Sequence, residues 1–155
     1  VLSIQKEDFD VATEYAALVK NASNTGAIVT FVGLVRDTEQ GLKHMLLEHY
    51  PGMTESVIQE IIDAAKQRWD IDDPSVIHRV GELQATDQIV FVGVSSTHRS
   101  DAYAACEYLM DQLKTRATLW KKEVTSTDEQ WLDSKPSDIK RAARWIENPK
   151  STTSS

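Results

Sequence analysis

The stretch DQIVFVGVSST, residues 87–97, constrains the fold more than any other segment. Its β-branched and aromatic residues favour a strand, and apolar side chains fall on both of its faces. A strand that is apolar on both sides must be covered on both sides, so it belongs in the middle of a sheet with a packing layer above and below. Directly after it, His98-Arg99 opens a long helical pattern in which Ala102, Ala105, Cys106, Leu109, Met110, Leu113 and Ala117 share one face. Every other segment has to fit around this strand–helix unit.

Residues 9–20 (FDVATEYAALVK) have helical spacing, and a turn signal at 24–26 precedes the strand AIVTFVGLV, which ends at Arg36. DTEQGLKH, residues 37–44, has no apolar period and reads as a loop. MLLEHY reads as a strand that Pro51-Gly52 stops. Thr54 is placed to cap the helix TESVIQEIIDAAKQRW, whose Val57, Ile58, Ile61, Ile62 and Ala65 form one stripe before Asp72-Asp73-Pro74 breaks it. SVIHRVGEL, residues 75–83, reads as one strand joined to the central strand by a polar turn at 85–87. TLWKKEVTSTDEQWL reads as two short strands around a polar turn, and SDIKRAARWI as a closing helix. A single domain is expected over residues 1–146, followed by a disordered tail at 147–155 that ends in NPKSTTSS. No internal repeat is visible. Adjacent strands mixed with helices point to the α+β class rather than a doubly wound sheet.

With 155 residues the chain can bury one real core without staples. No apolar run approaches the roughly 18 to 20 residues that cross a bilayer, and nothing resembles a signal peptide. Cys106 is the single cysteine, which excludes a disulfide framework and a thiolate metal cluster and makes a reducing cytoplasm the default compartment. Acidic residues number 24 against 17 Lys and Arg, for a net charge of -7, which argues against nucleic acid as the main partner. Against that balance, His98, Arg99, Lys114, Arg116, Lys121 and Lys122 crowd into residues 98–123. A solvated helix face explains some of these bases; a pocket for an anion explains the set.

His98 and Arg99 stand where a strand runs out and a helix begins, a junction whose free N–H groups favour anions. Cations are unfavourable beside the positive end of a helix dipole, so their placement needs a reason. Lys114 lies at the edge of the apolar stripe and, taken alone, reads as a snorkelling surface residue. Lys121 and Lys122 point to opposite faces of their strand, Lys121 with Leu119 and Lys122 with Trp120. Arg36 ends a strand beside a loop, where ligand contacts are common. His44, His49 and His78 have no metal-ligand spacing and read as structural, and Cys106 as a core residue. No Ser-His-Asp order, Gly-rich phosphate loop or paired-carboxylate motif stands out. If residues 99–114 are continuous helix, the two ends lie roughly 22 Å apart. One small ligand then touches only one end, unless two chains packed antiparallel about a two-fold axis bring both ends to a shared site.

FVGLVRD (31–37), LEHYPGMTE (47–55), IHRVGEL (77–83), IVFVGVSSTHRSDAY (89–103) and MDQLKTRATLWKKE (110–123) occur in this order. The set resembles the catalytic, larger subunit of molybdopterin synthase over about residues 26–146. The resemblance implies an α/β hammerhead-type fold with a small additional antiparallel sheet. It also implies a homodimer flanked by two copies of a small ubiquitin-like sulfur carrier, a heterotetramer with no metal and no resident cofactor. Two sulfurs from the carriers' C-terminal Gly-Gly thiocarboxylates go to cyclic pyranopterin monophosphate (precursor Z), forming the dithiolene of molybdopterin. By the same resemblance Lys114, Lys121 and His98 are catalytic, and Arg36, Arg99 and Lys135 join them in binding substrate. The 37–44 loop is short for the family and poor in bases. From the residues alone, a non-catalytic module that holds a carrier tail and an acyl- or phosphoryl-transfer enzyme remain open beside this reading.

Overall fold

The computed structural model describes residues 1–39, 41–126 and 128–147. Its elements in chain order are β1 (Leu2–Gln5), α1 (Val11–Lys20), β2 (Ala27–Leu34), β3 (Leu42–His49), α2 (Met53–Arg68) and β4 (Ser75–Arg79), then β5 (Gly81–Leu83), β6 (Gln88–Ser96), α3 (Arg99–Arg116), β7 (Leu119–Thr125), β8 (Glu129–Leu132) and α4 (Pro136–Glu147). The strands form two four-stranded sheets, ordered β1-β4-β6-β2 and β5-β3-β7-β8. Among the described residues only β1 and β4 pair in parallel; the second sheet is antiparallel throughout. The α+β class, and the hammerhead-type body with an added antiparallel sheet, are as the sequence led us to expect.

β6 is the central strand, paired with β4 on one side and β2 on the other. Its alternation sends Val90, Val92 and Val94 into the main core with α2 and α3, while Phe91 packs with Phe9, Leu18 and Ile77 under α1. Gly93 permits the α1 layer to come this close: a Cβ there would lie 2.5 Å from Leu18 Cδ1. α1 is started by Asp10, whose carboxylate accepts the Thr13 N–H at 2.9 Å.

Three local expectations are corrected. SVIHRVGEL is not one strand but two, in different sheets: β4 pairs with β6, whereas β5 pairs with β3. Nothing in the composition of the run marks a break, but Gly81 takes φ +89, which turns the chain out of one sheet and into the other. Thr54 does not cap α2; Gly52 precedes the helix, and its N–H donates to the Glu55 carboxylate at 2.6 Å. Thr54 is instead fully buried, accepting the Tyr50 N–H at 2.9 Å and bonding the Thr118 hydroxyl at 2.7 Å. It ties the start of α2 to the chain leaving α3. β3 also begins earlier than expected, at Leu42, inside the stretch read as a loop.

α3 follows β6 after Thr97-His98 and returns along the sheet, packing on β6 and β2. Ala102, Ala105, Cys106, Leu109 and Leu113 are buried as the stripe requires. α4 is pinned to α3 by a buried carboxylate, Asp111, which accepts Trp145 Nε1–H at 2.8 Å and Arg144 at 3.2 Å. The Trp145 ring sits edge-on to Trp69 and Tyr108, each 5.5 Å away. The tail expectation at 147–155 lies outside the described residues, except for Glu147, which closes α4.

Candidate active site at the end of helix α3

Lys114 lies in the last turn of α3, where a cation is favoured by the negative end of the helix dipole. Its Nζ stands 3.9 Å from Asp138 Oδ2 in the first turn of α4, and its carbonyl accepts the Ser134 hydroxyl at 3.3 Å. Lys121 reaches the same place from β7. In register it lies opposite Leu47 on β3 and Leu132 on β8, on the inner face of the second sheet with Leu119, as strand alternation predicts.

Burial pulls the Lys121 pKa below the ordinary lysine range; Lys114 and Lys135 add to this by repulsion, while Asp138 opposes it. Three lysines and one carboxylate therefore share one electrostatic environment. Lys135 immediately precedes α4, and its carbonyl accepts the first helical N–H groups, those of Asp138 at 3.0 Å and Ile139 at 3.2 Å.

His78 lies within the electrostatic field of this group. It is buried on β4, and one ring nitrogen is bonded to the Arg79 carbonyl at 2.8 Å. Burial pushes its pKa down to about 4, the Arg79 carbonyl works against that, and Lys121, His49 and Lys114 lower it further. The imidazole is thus held neutral within the field of Lys121 and Lys114. Sequence reading placed His49 and His78 as structural residues and overlooked Asp138 altogether. The signal for His78 was its place in a strand facing Val90 across the register, which puts a polar ring on the core side.

The remaining candidates divide by location. Arg36 is exposed just beyond β2, where Val35 N–H donates to the Asp87 carbonyl at 2.8 Å, beside the start of β6. His98 and Arg99 are exposed at the other end of β6. Because α3 runs back along the sheet, its Lys114 end lies toward the Arg36 end of the domain. From Arg99 to Lys114 the helix is unbroken, so the two ends are roughly 22 Å apart. One chain gathers Lys114, Lys121 and Lys135, and leaves His98 and Arg99 at its far end. Lys122 points to the outer face, 2.8 Å from Glu129 and over the Trp131 ring, and Arg116 pairs with Glu60 at 3.7 Å.

The family model described as MoaE protein matches residues 4–116. The chain belongs to the MoaE family. A molybdopterin synthase catalytic subunit of Vibrio cholerae is 55% identical over 146 residues, covering 93% of this chain and 97% of the relative. Among solved structures, the molybdopterin biosynthesis MoaE protein from Burkholderia ambifaria matches with a TM-score of 0.82 at 46% identity, covering 94% of this chain and 97% of that one. A molybdopterin synthase from Staphylococcus aureus matches with a TM-score of 0.77 at 32% identity, over 84% and 95% of the two chains. These alignments take in nearly the whole MoaE chain, whereas the family model stops at Arg116, short of Lys121, Lys135 and Asp138. No described helix of this MoaE protein is long and apolar enough to cross a membrane.

Proposed function

We propose that this MoaE chain is the catalytic subunit of a molybdopterin synthase. It transfers two sulfurs, one per carrier, from the C-terminal thiocarboxylate of a small ubiquitin-like carrier to precursor Z. The observation that carries this reading is the convergence of Lys114 and Lys121, with Lys135, at a partly desolvated site on a chain of net charge -7. Such a site is built for anions, and the reaction brings two: the cyclic phosphate of the substrate and the thiocarboxylate of the carrier. The catalytic-subunit name of the Vibrio cholerae relative supports the same reading.

The roles follow from charge and shape. Arg36 and Arg99 offer forked donors that suit phosphate, while lysine supplies a compact charge. The thiocarboxylate sulfur bonds to a substrate carbon as the C–O bond at that carbon breaks and its oxygen leaves. Water then attacks the carrier's carbonyl carbon, the carrier's C–S bond breaks, and the carrier leaves as a carboxylate while the sulfur stays on the substrate. Lys114 faces that carbonyl and stabilises the negative charge building on its oxygen. Lys121, its pKa lowered by burial, assists electrostatically and gives up a proton more readily than an ordinary lysine. Lys135 holds the substrate's anionic edge. His98 and Arg99 enter from the second chain of a homodimer, with His98 as acid or base, and a carrier docks at each end of that dimer. A single buried cysteine suits the reducing cytoplasm, where we place the reaction, and leaves sulfur to arrive on a partner.

Turnover of precursor Z with preformed thiocarboxylated carrier tests the proposal. Lys114→Ala folds normally, because its side chain is 43% exposed and holds one long ion pair, and loses turnover about 100- to 1,000-fold. Near-wild-type turnover removes Lys114 from the mechanism. Carrier binding without turnover in the wild-type protein replaces the enzyme reading with that of a tail-holding module.

A further inference from the structure

Three lysines meet at the end of α3, and the carboxylate that faces them is Asp138. It lies in the first turn of α4, where the helix dipole favours an anion, and its backbone N–H donates to the Lys135 carbonyl. The carboxylate is the more shielded partner of its pair, 19% exposed against 43% for Lys114. Its position is fixed from behind, since α4 is locked to α3 through Asp111, Arg144 and Trp145. The separation of 3.9 Å from Lys114 is too long for a hydrogen bond, so the contact is an ion pair that can be exchanged for a better partner.

We propose that Asp138 is a positioning residue for the transfer, the resting counter-ion of Lys114, which it holds in the site and releases when an anionic substrate group arrives. The inference rests on the functional reading above, in which Lys114 meets that group. Around the cluster lie the cations Lys121 and Lys135, the buried His78 ring, and His49, which stands 3.6 Å from the Glu55 carboxylate. Asp138 is also the group that opposes the repulsion and desolvation acting on Lys121. An incoming anion thus competes with Asp138 for the lysines rather than meeting bare, mutually repelling charges.

Competition of this kind has a consequence that an anchoring role lacks: removing the carboxylate tightens the binding of an anion. The experiment is calorimetric titration of the protein with inorganic phosphate, comparing wild type, Asp138→Asn, Asp138→Glu, Lys114→Ala and the Lys114→Ala/Asp138→Asn pair, with thermal melts alongside. Asp138→Asn is expected to bind phosphate about two- to five-fold more tightly, the range of one half-exposed ion pair. Asp138→Glu keeps the charge and stays near the wild-type affinity. In the Lys114→Ala background the Asn change loses most of its effect. Phosphate affinity that is unchanged, absent or weaker in Asp138→Asn overturns the proposal, as does an equal gain with Lys114 removed. The titration needs no turnover, so its failure is distinct from failure of the sulfur-transfer reading, which the Lys114→Ala assay addresses.

Discussion

Mixing two inactive variants should restore activity if the catalytic site is built from two chains. Lys114 and His98 lie at opposite ends of α3, with an unbroken helix of roughly 22 Å between Arg99 and Lys114. The helix cannot be shortened, because Ala102, Ala105, Cys106, Leu109 and Leu113 bury one face along its length. In a Lys114→Ala homodimer each site lacks its lysine, and in a His98→Ala homodimer each lacks its histidine. In the mixed dimer both defects fall on one site and the other site is intact. Equal amounts of the two chains at exchange equilibrium give about one half mixed dimers, each with one working site of two. The expected rate is therefore about one quarter of wild type, from components that are each nearly inactive. Sulfur transfer to precursor Z from preformed thiocarboxylated carrier is the assay, with exchange confirmed by native mass spectrometry of one mass-labelled chain. A rate no higher than either parent, in a sample with confirmed mixed dimers, refutes the shared site.

Three further outcomes concern the scaffold. Asp111→Ala leaves the buried Trp145 Nε1–H without an acceptor and should cost about 2 kcal/mol by urea denaturation; a loss below about 0.5 kcal/mol contradicts that role for the carboxylate. His78 is held neutral in the fold, its pKa pushed from 6.5 down to about 4. The unfolded chain takes up this proton below pH about 6.5, and the folded chain not until about 4, so the contribution is intact above that window and is lost as the pH falls through it. The loss amounts to about 3 kcal/mol by pH 4, and His78→Gln should flatten this part of the stability–pH curve; parallel curves for the two proteins rule the effect out. Cys106 is buried, and burial pushes its thiol up to about 12, so maleimide should label it only after unfolding; rapid labelling of the native protein counts against its place in the core.

Much of the fold was legible because its signals are local. The two apolar faces of β6 required a central strand, and the stripe from Ala102 to Leu113 required a helix packed on a sheet. Strand alternation alone separates Lys121 from Lys122, and the structure sends them to opposite faces. The misreadings occurred where one residue type serves two ends. A threonine beside a helix start satisfies backbone groups equally well as a cap or from within, and only the approach of Thr118 decides for Thr54. A run of strand-forming residues reads the same whether it stays in one sheet or crosses to another. For SVIHRVGEL the positive φ of Gly81 decides.

The candidate site divides along the same line. Sequence by itself determined that the bases crowd around α3, that this helix separates His98 and Arg99 from Lys114, and that Lys121 and Lys122 take opposite faces of their strand. These follow from periodicity and the fixed rise of a helix, which depend on neighbours along the chain, whereas which of the two strand faces is the inner one is settled by the buried Leu47 opposite Lys121. Only the tertiary structure decided that Asp138 stands beside Lys114 and that a neutral His78 lies within the field of both lysines. Those contacts join α4 to α3, and one sheet to the other, across long stretches of chain. They exist because burying Trp145, Leu47 and the β6 valines brings the elements together, and no local pattern encodes where a distant carboxylate or imidazole comes to rest.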